Sequence, residues 1–312
     1  MNSLNQSGNP DSDNEASSPE NIPGAADGKS LHPAVVGSLY MIGAAISFTG
    51  LDTVMKFLAG SYDFWFLAWA RSLAQFVFIM AIVPFLGFQN VLPVNRSGIQ
   101  LVRGICLAGA TLAILLSLRE MALTQTYVAL MTTPLVSVAL SPLVLGERAT
   151  MTQWFWILLG FAGTVIALNP AAPEIGWFLL YAAMMAISLG TYHVFTRLGS
   201  RTENNYTQLF YVLVIALALT TPLLLIAEGG LPLEGWLLIF LAGAFGTAAH
   251  FFITFSFSYA TPAVVAPMWY TQIIWAAIAG YVVFNEIPTF GIIVGSIIVV
   301  VSGLATVQSN SQ

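Results

Sequence analysis

Ten apolar segments follow one another from Pro33 almost to the end of the chain, and each has about the length of a helix that crosses a bilayer. Such a helix needs about 20 mostly apolar residues to span a hydrocarbon core of about 30 Å. The segments lie at residues 34–57, 64–86, 99–118, 122–145, 152–169, 175–196, 206–227, 235–258, 262–284 and 288–307. Because the loops between them are too short for a soluble domain, the sequence predicts an all-α integral membrane protein with ten transmembrane helices.

The composition agrees with a membrane location, since 57% of the 312 residues are hydrophobic and 7% are charged, whereas a soluble domain has about 25% charged residues. Residues 1–32 differ in composition from the rest of the chain and are rich in Ser, Asn, Asp, Pro and Gly. A segment of this kind cannot bury enough apolar surface to fold. We therefore predict a disordered cytoplasmic tail at 1–32, without a secretory signal, and a short second tail at 309–312.

The distribution of basic residues predicts how the helices are oriented. Cytoplasmic loops carry an excess of Lys and Arg, and a cytoplasmic N-terminus leaves only Lys56 and Arg119 at outer helix ends. The bases at cytoplasmic ends are then Lys29, Arg96, Arg103, Arg148, Arg197 and Arg201. Both termini are therefore expected in the cytoplasm. The chain has no basic stripe that could displace counterions from nucleic acid, so we expect no nucleic-acid partner.

Two stretches indicate an internal repeat. AISFTGLDTVMKF at residues 45–57 aligns with AISLGTYHVFTRL at 186–198, which sets Lys56 against Arg197 and Asp52 against His193. Two glutamates extend the match, because Glu147 follows Lys56 by 91 residues and Glu286 follows Arg197 by 89. Each repeat then holds five helices, at residues 33–170 and 171–308. Because five is odd, the second repeat enters the membrane in the opposite direction, as in many secondary transporters with a substrate site near the midplane.

These features resemble the EamA family of the drug/metabolite transporter superfamily. The resemblance rests on ten spans in two halves, a base ending the first helix of each half, and a fourth helix that contains Pro134 and Pro142 and runs into Gly146 and Glu147. The second half departs from the pattern, with Asn285 in place of the glycine. The resemblance implies a solute carrier of the cytoplasmic (inner) membrane, with a cavity lined mainly by helices one, three, four, six, eight and nine.

Ionisable groups deep inside predicted spans are candidates for the site, because such residues usually face the bundle interior or a water-filled cavity. Asp52 can pair with Lys56 one helical turn away or with Arg71 of the second span, and either a structural or a substrate-binding role is open. His193 and His250 can relay protons or simply bond a neighbouring hydroxyl. Lys56, Arg103 and Arg197 are close enough to span ends to reach the headgroup layer.

The fourth and ninth spans carry the remaining candidates. Pro134 and Pro267 can kink these helices and expose backbone carbonyls to a cavity. The polar and aromatic side chains near them are Tyr127, Thr132, Thr133, Trp269, Tyr270 and Gln272. Together with Asp52, His193 and His250 they form the predicted substrate site, which suits a flat polar solute that rings can stack and hydroxyls can orient. The alternative is that the aromatic residues only fill the core.

Other classes of function lack their motifs. The sequence has no Walker motif, no glycine-rich dinucleotide loop and no GxSxG elbow, so we expect no enzyme and no cofactor. Cys106 is the only cysteine, which excludes an internal disulfide, and no metal site is expected. A channel or sensor is the alternative class. Gly291 and Gly295, with Gly160 and Gly163 in the corresponding span, support either packing between halves or a homodimer.

The predicted function is secondary transport by alternating access. Membrane lipid and a small-molecule solute are the expected partners. The resemblance extends to members that take up S-adenosylmethionine or riboflavin, which implies a vitamin, a nucleoside-like solute or an S-adenosylmethionine-like solute. An exporter of amino acids or drugs is the alternative. Proton coupling through Asp52 or His193 is a further hypothesis, and Glu147 and Glu286 can lock gates by pairing with Arg148 or with a base on another helix.

Overall fold

The computed structural model describes residues 32–168, 176–287 and 289–309, and all regular elements in these residues are helices. The helices are α1 Pro33–Ala59, α2 Phe64–Leu86, α3 Phe88–Val91, α4 Ser97–Glu120, α5 Leu123–Leu130, α6 Thr133–Val144, α7 Met151–Leu168, α8 Gly176–Gly199, α9 Asn205–Thr220, α10 Leu233–Tyr259, α11 Pro262–Trp269, α12 Gln272–Phe284 and α13 Phe290–Ser309. A 3-10 turn, Thr221–Leu225, continues α9. Apart from His32 and Ser309, the two predicted tails lie outside the described residues.

Six helical segments within the described residues are long and apolar enough to cross a membrane. They are Pro33–Ala59, Phe64–Leu86, Ser97–Glu120, Asn205–Leu225, Leu233–Tyr259 and Pro262–Phe284. The second begins and ends at the predicted residues, because Asp63 caps it by accepting a hydrogen bond from the Phe66 amide at 2.9 Å and Gly87 ends it with a positive φ of 82°. Capping residues of this kind are visible in a sequence.

Two predicted spans are each divided into two helices. The span at 122–145 consists of α5 and α6, with a turn at Met131 and Thr132, and the span at 262–284 consists of α11 and α12, with a turn at Tyr270 and Thr271. Proline lacks the amide hydrogen that a helix interior needs. Pro134 accordingly lies at the start of α6. The structure therefore breaks these helices, where the sequence predicted a kink.

The two broken helices correspond residue by residue. α11 and α12 begin 139 residues after α5 and α6. Gly146 and Asn285, which have the same separation, both adopt left-handed backbone angles, with φ of 69° and 55°. Asparagine is among the few residues other than glycine that tolerate this conformation. Although Asn285 stands where the family pattern has glycine, its backbone therefore adopts the same left-handed turn.

Close contacts between helices hold the bundle together. α1 runs antiparallel to α10, and a Cβ added at Gly50 would lie 3.0 Å from the ring of Phe245. α4 packs along α8, and α7 along α13. At the last of these contacts a Cβ on Gly163 would meet the carbonyl oxygen of Gly295 at 3.0 Å. Gly163 and Gly295 were expected to support either packing between the halves or a homodimer. The structure provides the packing contact within one chain.

Candidate functional site: a cavity at the helix breaks

A small cavity lined by buried residues lies beside the break between α11 and α12. Its walls come from α1, α2, α4, α5, α8, α11 and α12, and its lining residues are Phe48, Asp52, Arg71, Leu107, Ala110, Thr111, Ile114, Leu130, Leu189, Trp269 and Gln272. The volume open to a water-sized molecule is ≈ 20 Å³, which holds about one water. A metabolite can therefore enter only if the walls move apart.

Most of the helices expected at the cavity from the family resemblance contribute to it. The eighth predicted span, α10, was expected but supplies no lining residue. The second span, α2, was not expected and contributes Arg71. His250 of α10 lies one layer back, because its ring contacts the ring of Phe48 with centroids 5.0 Å apart.

Asp52 takes part in a buried charge pair. Its Oδ1 lies 3.7 Å from Nη1 of Arg71, and the two side chains are 3% and 2% exposed. Its other carboxylate oxygen accepts a hydrogen bond from the hydroxyl of Tyr127 at 2.8 Å. Of the two partners expected for Asp52, the structure thus provides Arg71. Lys56 instead pairs with Glu286 and donates to the Met121 carbonyl at 3.1 Å.

Four polar atoms at the cavity have no hydrogen-bond partner among the described residues. They are Asp52 Oδ1, Arg71 Nη1, Trp269 Nε1 and Gln272 Oε1. The separation of Asp52 from Arg71 exceeds hydrogen-bond length, so the pair balances charge without forming that bond. Most buried polar atoms in proteins are hydrogen-bonded. These two donors and two acceptors belong to lining residues and can bind a polar solute once the walls move apart.

Aromatic rings in the cavity wall pack against one another and against rings behind them. Trp269 meets Phe48 edge to face, with centroids 5.6 Å apart, and meets His193 at 4.9 Å. Nδ1 of His250 lies 3.1 Å from the hydroxyl of Tyr192. His250 thus bonds a neighbouring hydroxyl, the simpler of the two roles considered for it, while His193 supports the indole of Trp269.

The predicted site residues fall into three groups. Asp52, Trp269 and Gln272 line the cavity. Tyr127, His193 and His250 contact lining residues. The others are not part of the lining, namely Thr132, Thr133 and Tyr270.

Tyr270 shows why a residue beside the break can lie outside the cavity. Its hydroxyl donates to the carbonyl of Ile157 in α7 at 3.2 Å, and its ring packs against Gly160. Tyr270 thus fastens α7 to the end of α11. Thr133 is fully buried at the first residue of α6, while Pro134 and Pro267 flank the two breaks rather than the cavity.

Of the eleven lining residues, the predicted site left out eight, of which Arg71 and Phe48 could have been found from the sequence. Arg71 is a base in the middle of an apolar span, and Phe48 precedes Asp52 by four residues, which puts both on one helix face. The expectation for Arg103 was wrong. Its guanidinium is fully buried and donates to Thr196 Oγ1 at 3.0 Å and to the Gln208 carbonyl at 2.9 Å, because α8 and α9 offer polar partners inside the bundle.

Ion pairs lie at both ends of the α1–α10 pair. Near the C-terminal end of α1, Lys56 binds Glu286. At the other end, Ser256 of α10 donates to the Gly37 carbonyl of α1 at 2.7 Å, and the adjacent Phe257 carbonyl accepts from Arg197 at 2.9 Å.

The second ion pair includes two arginines. Arg197 and Arg201 approach the same carboxylate oxygen of Glu147, at 3.1 Å and 2.7 Å. Glu147 therefore pairs with bases in and just after α8 rather than with its neighbour Arg148. Since α1 has 27 residues and is about 40 Å long, the two ion pairs are separated by most of a membrane thickness.

Comparisons with known proteins agree with this architecture. The sequence profile of the EamA-like transporter family matches residues 35–169 and again 176–307. The S-adenosylmethionine uptake transporter of Rickettsia conorii is 23% identical over 290 residues, which cover 90% of this chain and 96% of that protein. The riboflavin transporter of Rhizobium johnstonii is 26% identical over 287 residues, or 89% and 93% of the two chains. That of Vibrio cholerae is 27% identical over 282 residues, or 87% and 92%.

A solved crystal structure has the same fold, with a TM-score of 0.72 and 19% identity over 91% of this chain and all of that one. At that identity the likeness shows the fold alone. The transporter relatives and the apolar helices together make this a multi-pass membrane protein. Because the family profile matches both halves of the chain, and the two matches together cover most of it, the chain belongs to the EamA-like transporter family.

Proposed function

We propose that the protein is a secondary carrier that moves a small metabolite across the cytoplasmic membrane by alternating access. The observation that carries this proposal is the small buried cavity at the helix breaks, whose lining residues hold two donors and two acceptors without partners in the described part of the chain. Broken helices near the midplane build the substrate sites of many secondary transporters. The relatives that carry S-adenosylmethionine and riboflavin favour a solute with a flat heterocycle over the alternative of an amino-acid or drug exporter.

We further propose that residues 33–170 and 171–308 are two inverted repeats of five transmembrane helices each. The double match of the family profile supports this division. So do the two helix breaks, which lie in register 139 residues apart. The packing is reciprocal as well, since the first helix of each repeat lies along the third helix of the other, α1 along α10 and α8 along α4. The positions of Lys and Arg favour cytoplasmic termini.

The two ion pairs serve as gates in this scheme. Each links a base near the end of the first helix of one repeat to the glutamate after the fourth helix of the other, Lys56 to Glu286 and Arg197 to Glu147. With cytoplasmic termini, the first pair closes the outer end and the second closes the cytoplasmic end. Alternating access requires that they open one at a time, so that the cavity faces one side of the membrane only.

Transport by purified protein in liposomes tests the proposal, with labelled S-adenosylmethionine and labelled riboflavin as the probes. We expect saturable uptake of at least one of them, reduced about tenfold or more by Gln272→Ala and by Asp52→Asn. The matched controls are Gln75→Ala, a buried glutamine outside the lining, and Asp63→Asn, where asparagine also caps α2 well. Uptake of neither probe, or equal uptake by the cavity and control variants, would contradict the proposal.

A further inference from the structure

We infer that the solute carries an α-amino-acid headgroup, whose ammonium is bound by Asp52 and whose carboxylate is bound by Arg71. This inference rests on the proposed carrier function and specifies its substrate class. It starts from the charges at the cavity, where Asp52 is the only acid and Arg71 the only base among the lining residues that the structure describes.

The charge balance favours a headgroup with both signs. A purely cationic solute would pair with Asp52 and leave Arg71 uncompensated, and a purely anionic solute would do the reverse. An unpaired charge in a low-dielectric interior is strongly destabilising. An ammonium and a carboxylate on one carbon give each residue a partner and add no net charge.

The hydrogen-bonding atoms match the same headgroup. An ammonium has three donors, and the acceptors without protein partners are Asp52 Oδ1 and Gln272 Oε1. A carboxylate only accepts, and the donors without partners are Arg71 Nη1 and Trp269 Nε1. The donor and acceptor inventory of an amino acid therefore complements the four atoms. A neutral heterocycle can form hydrogen bonds with these four atoms. Once it separates Asp52 from Arg71, however, it leaves both charged side chains without an ionic partner.

The rest of the cavity wall is apolar and determines where the remainder of the solute lies. Phe48, Leu107, Ile114, Leu130 and Leu189 line it beside the ring of Trp269. Aromatic and aliphatic walls of this kind hold a ring. The solute is thus a flat ring attached to an amino-acid headgroup, and the walls must separate to admit it because the present cavity holds about one water.

The pair also accounts for how the cavity closes without solute. At 3.7 Å, Asp52 and Arg71 neutralise each other, so closure buries no net charge. A carrier of this kind can return through the closed conformation unloaded, and net uptake does not require a counter-solute.

Binding to purified, detergent-solubilised protein tests the inference, with three probes that share the adenosine ring system. S-adenosylmethionine has the full headgroup, decarboxylated S-adenosylmethionine lacks only the carboxylate and keeps the sulfonium charge, and 5′-methylthioadenosine lacks both the whole headgroup and the sulfonium charge. We expect S-adenosylmethionine to bind wild-type protein about 10- to 100-fold more tightly than the decarboxylated probe, as for loss of one charged hydrogen-bonding pair. In Arg71→Gln the two affinities should become nearly equal, whereas a purely structural role of Arg71 would weaken both in parallel.

The double variant Asp52→Asn with Arg71→Gln guards against misfolding, because it removes both charges and leaves neither unpaired. It should stay folded and bind S-adenosylmethionine and decarboxylated S-adenosylmethionine with about equal affinity, because both probes carry the sulfonium charge and neither finds an ionic partner for its headgroup. Equal binding of all three probes to wild type would overturn the headgroup inference and leave the carrier function standing. Riboflavin uptake without binding of any adenosine probe would do the same, whereas no binding and no uptake of any probe would overturn both.

Discussion

The proposed cytoplasmic gate, formed by Glu147 with Arg197 and Arg201, gives the most specific prediction. Glu147→Gln keeps the shape of the side chain but removes the charge that Arg197 and Arg201 share at 3.1 Å and 2.7 Å. The bond from Arg197 to the Phe257 carbonyl is unaffected. The substitution should therefore weaken the closed cytoplasmic gate without unfolding α8.

The size of the effect follows from exposure. The Arg197 and Glu147 side chains are 19% and 20% exposed, so their charged bond contributes about 1.5 kcal/mol, the low end for bonds to charged groups. Arg201 is 40% exposed, and such a pair contributes about 0.5 kcal/mol. Losing both shifts the equilibrium by about 2 kcal/mol, or roughly 30-fold, towards the conformation open to the cytoplasm.

A single cysteine in the cavity wall measures this shift. Cys106→Ser removes the only native cysteine, and Thr111→Cys places one in the lining. A membrane-impermeant maleimide, applied to one side of oriented membranes at a time, reports access to the cavity. Glu147→Gln should raise the labelling rate from the cytoplasmic side by up to about 30-fold and lower it from the outer side, while Glu286→Gln should do the opposite.

Arg148→Gln is the matched control, because Arg148 adjoins Glu147 but is exposed and forms no ion pair within the described residues. Its labelling rates should equal those of the parent protein. Unchanged rates in Glu147→Gln would refute the gating role. A rise from both sides at once would refute it too, since that indicates a leak instead of a two-state gate.

Two further predictions follow from the structure. Uptake should not respond to an imposed pH gradient at fixed external pH, because Arg71 already balances the charge of Asp52; uptake that rises with an inward proton gradient would instead support proton coupling through Asp52 or His193. Asn285→Ala should lower the stability by about 1 kcal/mol, because alanine is strained at the φ of 55° that Asn285 adopts, whereas Asn285→Gly should be near neutral. Thermal unfolding in detergent measures both variants, and equal melting temperatures would contradict the strain argument.

Much of the fold follows from local sequence properties. Apolar length and capping residues are local, so the ends of α2 were predicted to the residue. The alignment of the two halves likewise identified Lys56, Glu147, Arg197 and Glu286 as corresponding residues. Pairing of each glutamate with Arg148 or with a base on another helix was considered, but the particular base was not predictable, because it depends on which helices become neighbours in space.

For the site as well, local features were predictable and contacts between helices were not. Asp52, Trp269 and Gln272 were predicted and line the cavity, since polar residues inside apolar spans usually face the bundle interior. Tyr270 was included although its side chain faces α7. Sequence spacing cannot supply the rotation of a helix after a break. Arg71 was left out for a related reason, because the face of α2 that meets Asp52 depends on tertiary packing.

The most direct test of the central claim is counterflow in proteoliposomes. Vesicles containing the protein are loaded with unlabelled S-adenosylmethionine and diluted into a trace of the labelled compound. A carrier that exposes one site alternately to each side predicts transient accumulation of label above its equilibrium level, and this overshoot should be lost in Gln272→Ala. Label that only equilibrates in vesicles with wild-type protein, as through a channel, or that does not enter at all, would contradict alternating access at this cavity.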